Sequence, residues 1–236
     1  MQSIHNSSLV AHAARGKFAQ DATDRSVAGY PAGQPLNQEK AETMPDPSSA
    51  KERIIATAYD LFTRRGINDV GVDEVVAKAG VAKTTLYRHF PSKDDLVIAF
   101  LDERERLWTA EVIDRRPRAR AADPVGQLLA VFDELDDWFG NRTDYEACSF
   151  IKVLLEVGPK GRIGEACLGH LDRVREILRH RARDAALRDV DSLVWELNML
   201  IKGAIVGAAE GDVDAAKRAR ALAAWVIDQH RGAPNG

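Results

Sequence analysis

Between Gly71 and Lys93 the chain reads GVDEVVAKAGVAKTTLYRHFPSK, two apolar patterns of helical spacing that meet at a single glycine. Helices shorter than roughly 12 residues are marginal in water, so both must lie on another element. Val72, Val75, Val76 and Ala79 form one inward set, closed by Gly80 at the position that favours a left-handed residue. The second set starts near Lys83, turns Leu86 and Phe90 inward, and stops at Pro91. Upstream, Ser49 and Glu52 form an S-x-x-E capping box, and Ile54, Ile55, Ala58, Leu61 and Phe62 repeat at steps of three and four until Gly66. Two short helices on a longer first one predict a helix-turn-helix, whose second short member is shaped for a major groove.

With Leu86 and Phe90 facing the core, Lys83, Thr84, Tyr87, Arg88 and His89 fall on the outer side, with Thr85 at the margin. Charge points the same way. The whole chain carries a net charge of -3, yet residues 51–93 hold eight Lys or Arg against five acids, and residues 94–236 hold 21 against 26. The basic charge is concentrated where the short helices lie.

The string GVDEVVAKAGVAKTTLYRHFPSKDDL, with Phe62 and Gly66 in phase upstream, resembles the DNA-binding domain of TetR-family transcriptional regulators. The detailed resemblance spans about 50 residues and rests on Leu86, Tyr87, His89 and Phe90 followed by Ser92, Lys93, Asp94 and Leu96. It implies phosphate contacts from Tyr87 and Lys93, and places Lys83, Thr84, Thr85 and Arg88 at or near base edges; His89 is included in the DNA-binding set. Lys93 would sit in the first turn of the next helix, where free N–H groups attract a phosphate. Two positions depart from the family pattern: Gly71 and Ala82 stand where it often carries Thr and Ser, so contacts from those caps are lost or moved to Lys51 or Arg53.

The remaining chain reads as helices without strands, which predicts an all-α fold of nine helices. Residues 1–47, rich in Ser, Ala, Gln, Gly and Pro, are expected to form a disordered arm, 48–93 the DNA-binding domain, and 94–236 an effector-binding and dimerisation domain. The fourth helix opens at Ser92 and Asp95 and is expected to close at the proline-broken RRPRAR of Arg115 to Arg120; the fifth starts at Asp123 and Pro124. Tyr145–Val157, Ile163–Ala186, Val190–Ala209 and Val213–Gln229 complete the set.

The eighth and ninth helices carry broad apolar stripes rich in alanine, which suit either an internal core or a four-helix homodimer interface; the resemblance favours the dimer. A dimer also reads two half-sites of a double-stranded operator where one short helix reads too few base pairs. By the same resemblance the C-terminal domain holds a small-molecule effector whose binding moves the fourth helix. Trp108, Phe132, Phe150, Trp195 and Met199 are the candidate lining, with Glu156, Asn198 and Lys202 as polar anchors, so the effector is expected to be hydrophobic or aromatic. Together these expectations describe a repressor released from its operator by effector.

Two cysteines, Cys148 and Cys167, give no disulfide framework and read as buried reduced thiols. No stretch of about 18 apolar residues suggests a membrane span, nothing resembles a signal peptide, and a cytoplasmic location follows as the expectation. Enzymatic readings lack residues: Glu165 with His170 and Glu176 with His180 have the wrong spacing for a di-iron bundle, the histidines show no zinc pattern and most are expected at surfaces or caps, and no phosphate-binding glycine loop or other cofactor signature is present. A helical adaptor that binds a protein through the hairpin is the alternative; it would not need Lys83, Arg88 and Lys93 on one side.

Overall fold

A computed structural model of the chain describes residues 49–140 and 148–232. The expected arm at 1–47 lies outside the described residues, as do Tyr145 to Ala147 of the expected sixth helix. Helix α1 spans Ala50–Arg65, α2 Val72–Ala79, α3 Lys83–His89 and α4 Lys93–Arg104. A π-helical segment, Glu105–Arg115, runs into α5, Arg116–Arg120; then come α6 Pro124–Gly140, α7 Ser149–Val157, α8 Gly161–Asp184, α9 Val190–Glu210 and α10 Ala215–Gln229. Because backbone angles stay helical at both junctions, α4, the π segment and α5 are one continuous rod, so the described residues form nine helical bodies and no strand.

The local signals act as expected. Ser49 Oγ accepts from Glu52 N–H while Glu52 Oε2 accepts from Ser49 N–H, which closes the capping box of α1. Gly80 takes φ 63°, ψ 41° between α2 and α3, a left-handed conformation in which a Cβ would be strained. Ser92 Oγ accepts from Asp95 N–H at 3.1 Å and opens α4. Neither Gly71 nor Ala82 provides a side-chain cap, so α2 and α3 are held by packing.

Packing begins at Phe100 of α4, fully buried, which meets Tyr59 and Phe62 of α1 edge to face at 5.6 and 5.5 Å between ring centres. Burying one such side chain contributes about 1.5–3 kcal/mol, and Leu96, Val97 and Leu101 beside it are equally buried. On its other side, α4 meets α8. One connected core therefore runs from Ile54 through α4 to Ile227.

The fourth helix passes through Pro117 and closes at Arg120, the last residue of the RRPRAR run expected to end it. The bonding that leads up to it is π-helical, Arg116 N–H donating to Glu111 O, and Pro117 has no N–H with which to continue the ladder. Arg181 of α8 supplies the missing donor: Nη1 bonds Ile113 O at 2.7 Å, and Nη2 bonds Asp114 O at 2.7 Å and Asp114 Oδ1 at 3.1 Å. Burial lowers Arg181 to about 10, still far above neutral pH, so the guanidinium remains charged. Tertiary hydrogen bonding thus overrides the local stop signal.

Contrary to the sequence expectation, one described helix, α9, is long and apolar enough to cross a membrane by length and composition. Its apolar residues have two other uses. Leu193, Val194, Leu197, Ile201, Ala204 and Ile205 are buried against neighbouring helices, while Trp195, Met199 and Val206 form an exposed stripe.

Candidate nucleic-acid interface

Leu86 of α3 is fully buried, with Val75 and Ala79 of α2 beneath the same hairpin, and this fixes which side of α3 faces outward. Lys83, Thr84, Tyr87 and Arg88 are exposed, Thr85 and His89 half-buried at the edge, and Lys93 half-buried in the first turn of α4. All seven expected residues are therefore on α3 or just beyond it, none sealed in the core.

The eight cations of residues 51–93 separate into two groups. Arg64 and Lys78 share Asp60, Arg65 pairs with Glu74, and Lys83 Nζ lies 2.6 Å from Asp73 Oδ1. The Lys78 ammonium, with Arg64, holds the Asp60 carboxyl below its usual range, so that hub stays ionised at neutral pH. No carboxylate among the described residues lies within ion-pair distance of Lys51, Arg53, Arg88 or Lys93. These cations remain available to an external polyanion.

The hairpin is fastened to the rest of the protein by α7. Glu156 Oε2 accepts from the N–H groups of Ile67 and Asn68, both at 3.0 Å, and Lys152 Nζ donates to Thr63 O at 2.7 Å. Glu156, expected as an effector anchor, thus caps the turn after α1. Along the rod, Arg162 bonds Asp95 at 2.8 Å, and His170 and Arg173 both bond Glu105. His170 is buried and stacks on Phe150 at 4.9 Å, an exception to the expectation that most histidines lie at surfaces or caps.

The five expected effector residues fall into two places. Trp108, Phe132 and Phe150 are buried in the core of the second domain. Trp195 and Met199 are not: they are 51% and 61% exposed, on the outer face of α9, and Arg175 lies over the Trp195 ring at 4.4 Å. Leu222 and Trp225 of α10, 54% and 64% exposed, add to the exposed apolar surface. Helical spacing alone cannot say which stripe of a two-sided helix faces inward, and Trp195 and Met199 lie on the outer one.

Sequence reading missed Arg104. It is only 5% exposed, 5.9 Å from the Trp108 ring centre and 5.7 Å from that of Trp138, with Nη1 donating to Tyr59 Oη at 2.8 Å. The signal was present, since residues 97, 101, 104 and 108 share one helical face and three of them are apolar. Burial raises the Cys148 thiol above its ordinary value and pushes Cys167 up to about 11, so both are neutral near pH 7.

The sequence model described as bacterial regulatory proteins of the tetR family matches residues 54–100, the hairpin with its supporting helix and the start of α4. The HTH-type transcriptional activator FasR of Mycolicibacterium smegmatis is 30% identical over 168 residues, 62% of this chain and 71% of that protein. The HTH-type transcriptional regulator RutR of Escherichia coli is 36% identical over 63 residues, 27% of this chain and 30% of its own length. A TetR-family regulator from Streptomyces coelicolor superposes with a TM-score of 0.69 at 27% identity, covering 77% of this chain and 95% of that one. These relatives are regulators rather than enzymes, and the likeness extends from the reading helix into the C-terminal helices, so the chain belongs to the TetR family of DNA-binding transcriptional regulators.

Proposed function

We propose that two copies of the chain bind a two-fold symmetric operator, with Lys83, Thr84, Thr85 and Arg88 at base edges and Tyr87, His89 and Lys93 at the backbone. The observation that carries this reading is the outer face of α3, where Arg88 projects without a carboxylate partner among the described residues. An arginine bidentate to guanine contributes about 1–3 kcal/mol of discrimination. In this reading the copies meet through the exposed faces of α9 and α10, and their two reading helices serve half-sites about 34–36 Å apart or a multiple of that. A two-fold axis through this surface buries Trp195, Met199, Leu222 and Trp225 together.

A small-molecule effector occupies the second domain around Trp108, Phe132 and Phe150, and its binding releases the operator, as in a repressor acting in the cytoplasm. FasR bears the name of an activator. A reporter fused to a bound site separates the two: expression of the chain silences it in the repressor reading and raises it in the other. The primary test selects bound sequences from a random duplex library at two salt concentrations. A symmetric consensus is expected, whereas a folded protein that enriches nothing points to a protein-binding adaptor.

A further inference from the structure

The ion pairs of the hairpin serve two different junctions. Arg65 with Glu74 and Lys78 with Asp60 tie α2 back to α1. Lys83 with Asp73 instead joins the first turn of α2 to the first residue of α3, the reading helix, with Nζ and Oδ1 2.6 Å apart. Both side chains lie on the surface, 54% and 78% exposed, while Val75 and Leu86 of the same two helices are buried. The carboxylate raises the Lys83 ammonium above its usual range, so the lysine is charged at neutral pH. Residues at the N-terminal end of a recognition helix are the ones that reach base edges. A carboxylate held at the tip of such a lysine is therefore brought to the DNA with it. Phosphates repel that charge, which lowers affinity for every duplex. Only a base that offers an amino group satisfies it.

We infer that Lys83 and Asp73 read one G·C base pair as a unit, the lysine donating to guanine O6 and N7 and the aspartate accepting from cytosine N4. This rests on the operator reading above and adds Asp73, on α2, to the residues that specify bases. In the major groove O6 and N4 of that pair lie side by side, hydrogen-bonded to each other at about 2.9 Å. An ammonium and a carboxylate oxygen 2.6 Å apart present the complementary order at a matching spacing. T·A offers the same order, acceptor then amine, but lacks the N7 acceptor beside it; C·G and A·T reverse the order. The unit therefore ranks G·C first, T·A second and the reversed pairs last. On random DNA the same carboxylate occupies the lysine and holds down phosphate binding.

Selection from a random duplex library with the full-length wild type, Asp73→Ala and Lys83→Ala tests the assignment. The wild-type consensus should hold a G·C pair in each half-site, preferred at least about fivefold over C·G, and both variants should relax that same position to less than about twofold. Asp73→Ala should also bind random duplex at least about threefold more tightly at low salt, with a salt slope steeper by roughly one unit as Lys83 is freed for a phosphate. Asp73 is exposed, so the variant should keep the wild-type Tm; Asp73→Asn, which keeps the shape without the charge, gives the same rise in random binding if the alanine variant does not fold. A G·C preference that survives Asp73→Ala and is lost in Lys83→Ala would leave the lysine reading alone and overturn the role of Asp73. Relaxation at two different positions would overturn the unit. Equal weakening of Asp73→Ala on all duplexes would make the carboxylate a brace for Lys83 rather than a reader. A wild-type chain that enriches no sequence would instead remove the operator reading itself.

Discussion

Glu156 of α7 accepts the backbone N–H of Ile67, 89 residues earlier in the chain, at 3.0 Å, and the same oxygen accepts from Asn68. A single carboxylate thus satisfies two donors in the turn that leads into the reading hairpin. Hydrogen bonds to a charged acceptor contribute about 1.5–3 kcal/mol each. Glu156→Ala should lower stability by about that amount in urea unfolding, and the Ile67 and Asn68 amides should exchange faster with solvent. Unchanged exchange would mean that the turn holds itself.

Arg181 and Pro117 should behave as a pair. Arg181→Met leaves two backbone carbonyls short of a donor in a buried place and is expected to cost about 3–5 kcal/mol. Pro117→Ala restores an N–H to residue 117, in the turn whose carbonyls Arg181 serves. The double variant should therefore lose less stability than the sum of the two single changes by at least about 1 kcal/mol. Strict additivity in denaturant midpoints would separate the two residues.

Base reading and backbone positioning should separate by substitution. Arg88→Ala is expected to reduce the preference for a selected duplex over random DNA, whereas Lys93→Ala should weaken both and reduce the salt slope by roughly one unit. Identical losses in the two variants would refute the division.

The apolar face of α9 and α10 is tested by charge. Trp225→Glu removes an exposed ring rather than a core side chain, so the monomer should remain folded by circular dichroism. Sedimentation should show loss of the dimer, and operator affinity should fall by at least about a hundredfold as one half-site is released. A Trp225→Glu dimer would place the interface elsewhere.

The thiols give a pH-dependent prediction. Alkylation requires thiolate, and a raised native pKa removes it at neutral pH. Since Cys167 is lifted to about 11 and Cys148 is also raised, the folded protein should resist iodoacetamide from pH 7 to pH 9, where an unfolded thiol, ionising at about 8.5, reacts. Labelling should follow unfolding in urea rather than pH. Rapid labelling of the folded chain at pH 8 would expose an open thiol.

What could be read from the sequence was what local chemistry decides. Ser49 with Glu52, Gly80 and Ser92 act within a few residues of themselves, and their positions gave the hairpin and the phase of α3 correctly. The close of the fourth helix within RRPRAR was legible; its passage through Pro117 as far as Arg120 was not, because the bonds there come from Arg181, on another helix. Trp195 and Met199 were assigned inward because α9 is apolar on two faces, and periodicity gives the spacing of a face without saying what covers it. Arg104 was overlooked although it stands in phase with Val97, Leu101 and Trp108; a charge at a core position is as informative as an apolar residue on the surface.

The unbroken run from Lys93 to Arg120 is also a lever. At the 1.5 Å rise per residue of an α-helix its 28 residues extend roughly 40 Å, so a tilt of about 5° about the distal end carries the proximal end through about 3 Å. Lys93 rides at the moving end, and Arg181 pins the distal one. Proline at position 117 would otherwise be a joint where such a displacement could dissipate; Arg181 bonds the carbonyls just before it, so that a tilt applied at one end of the rod would be carried to the other.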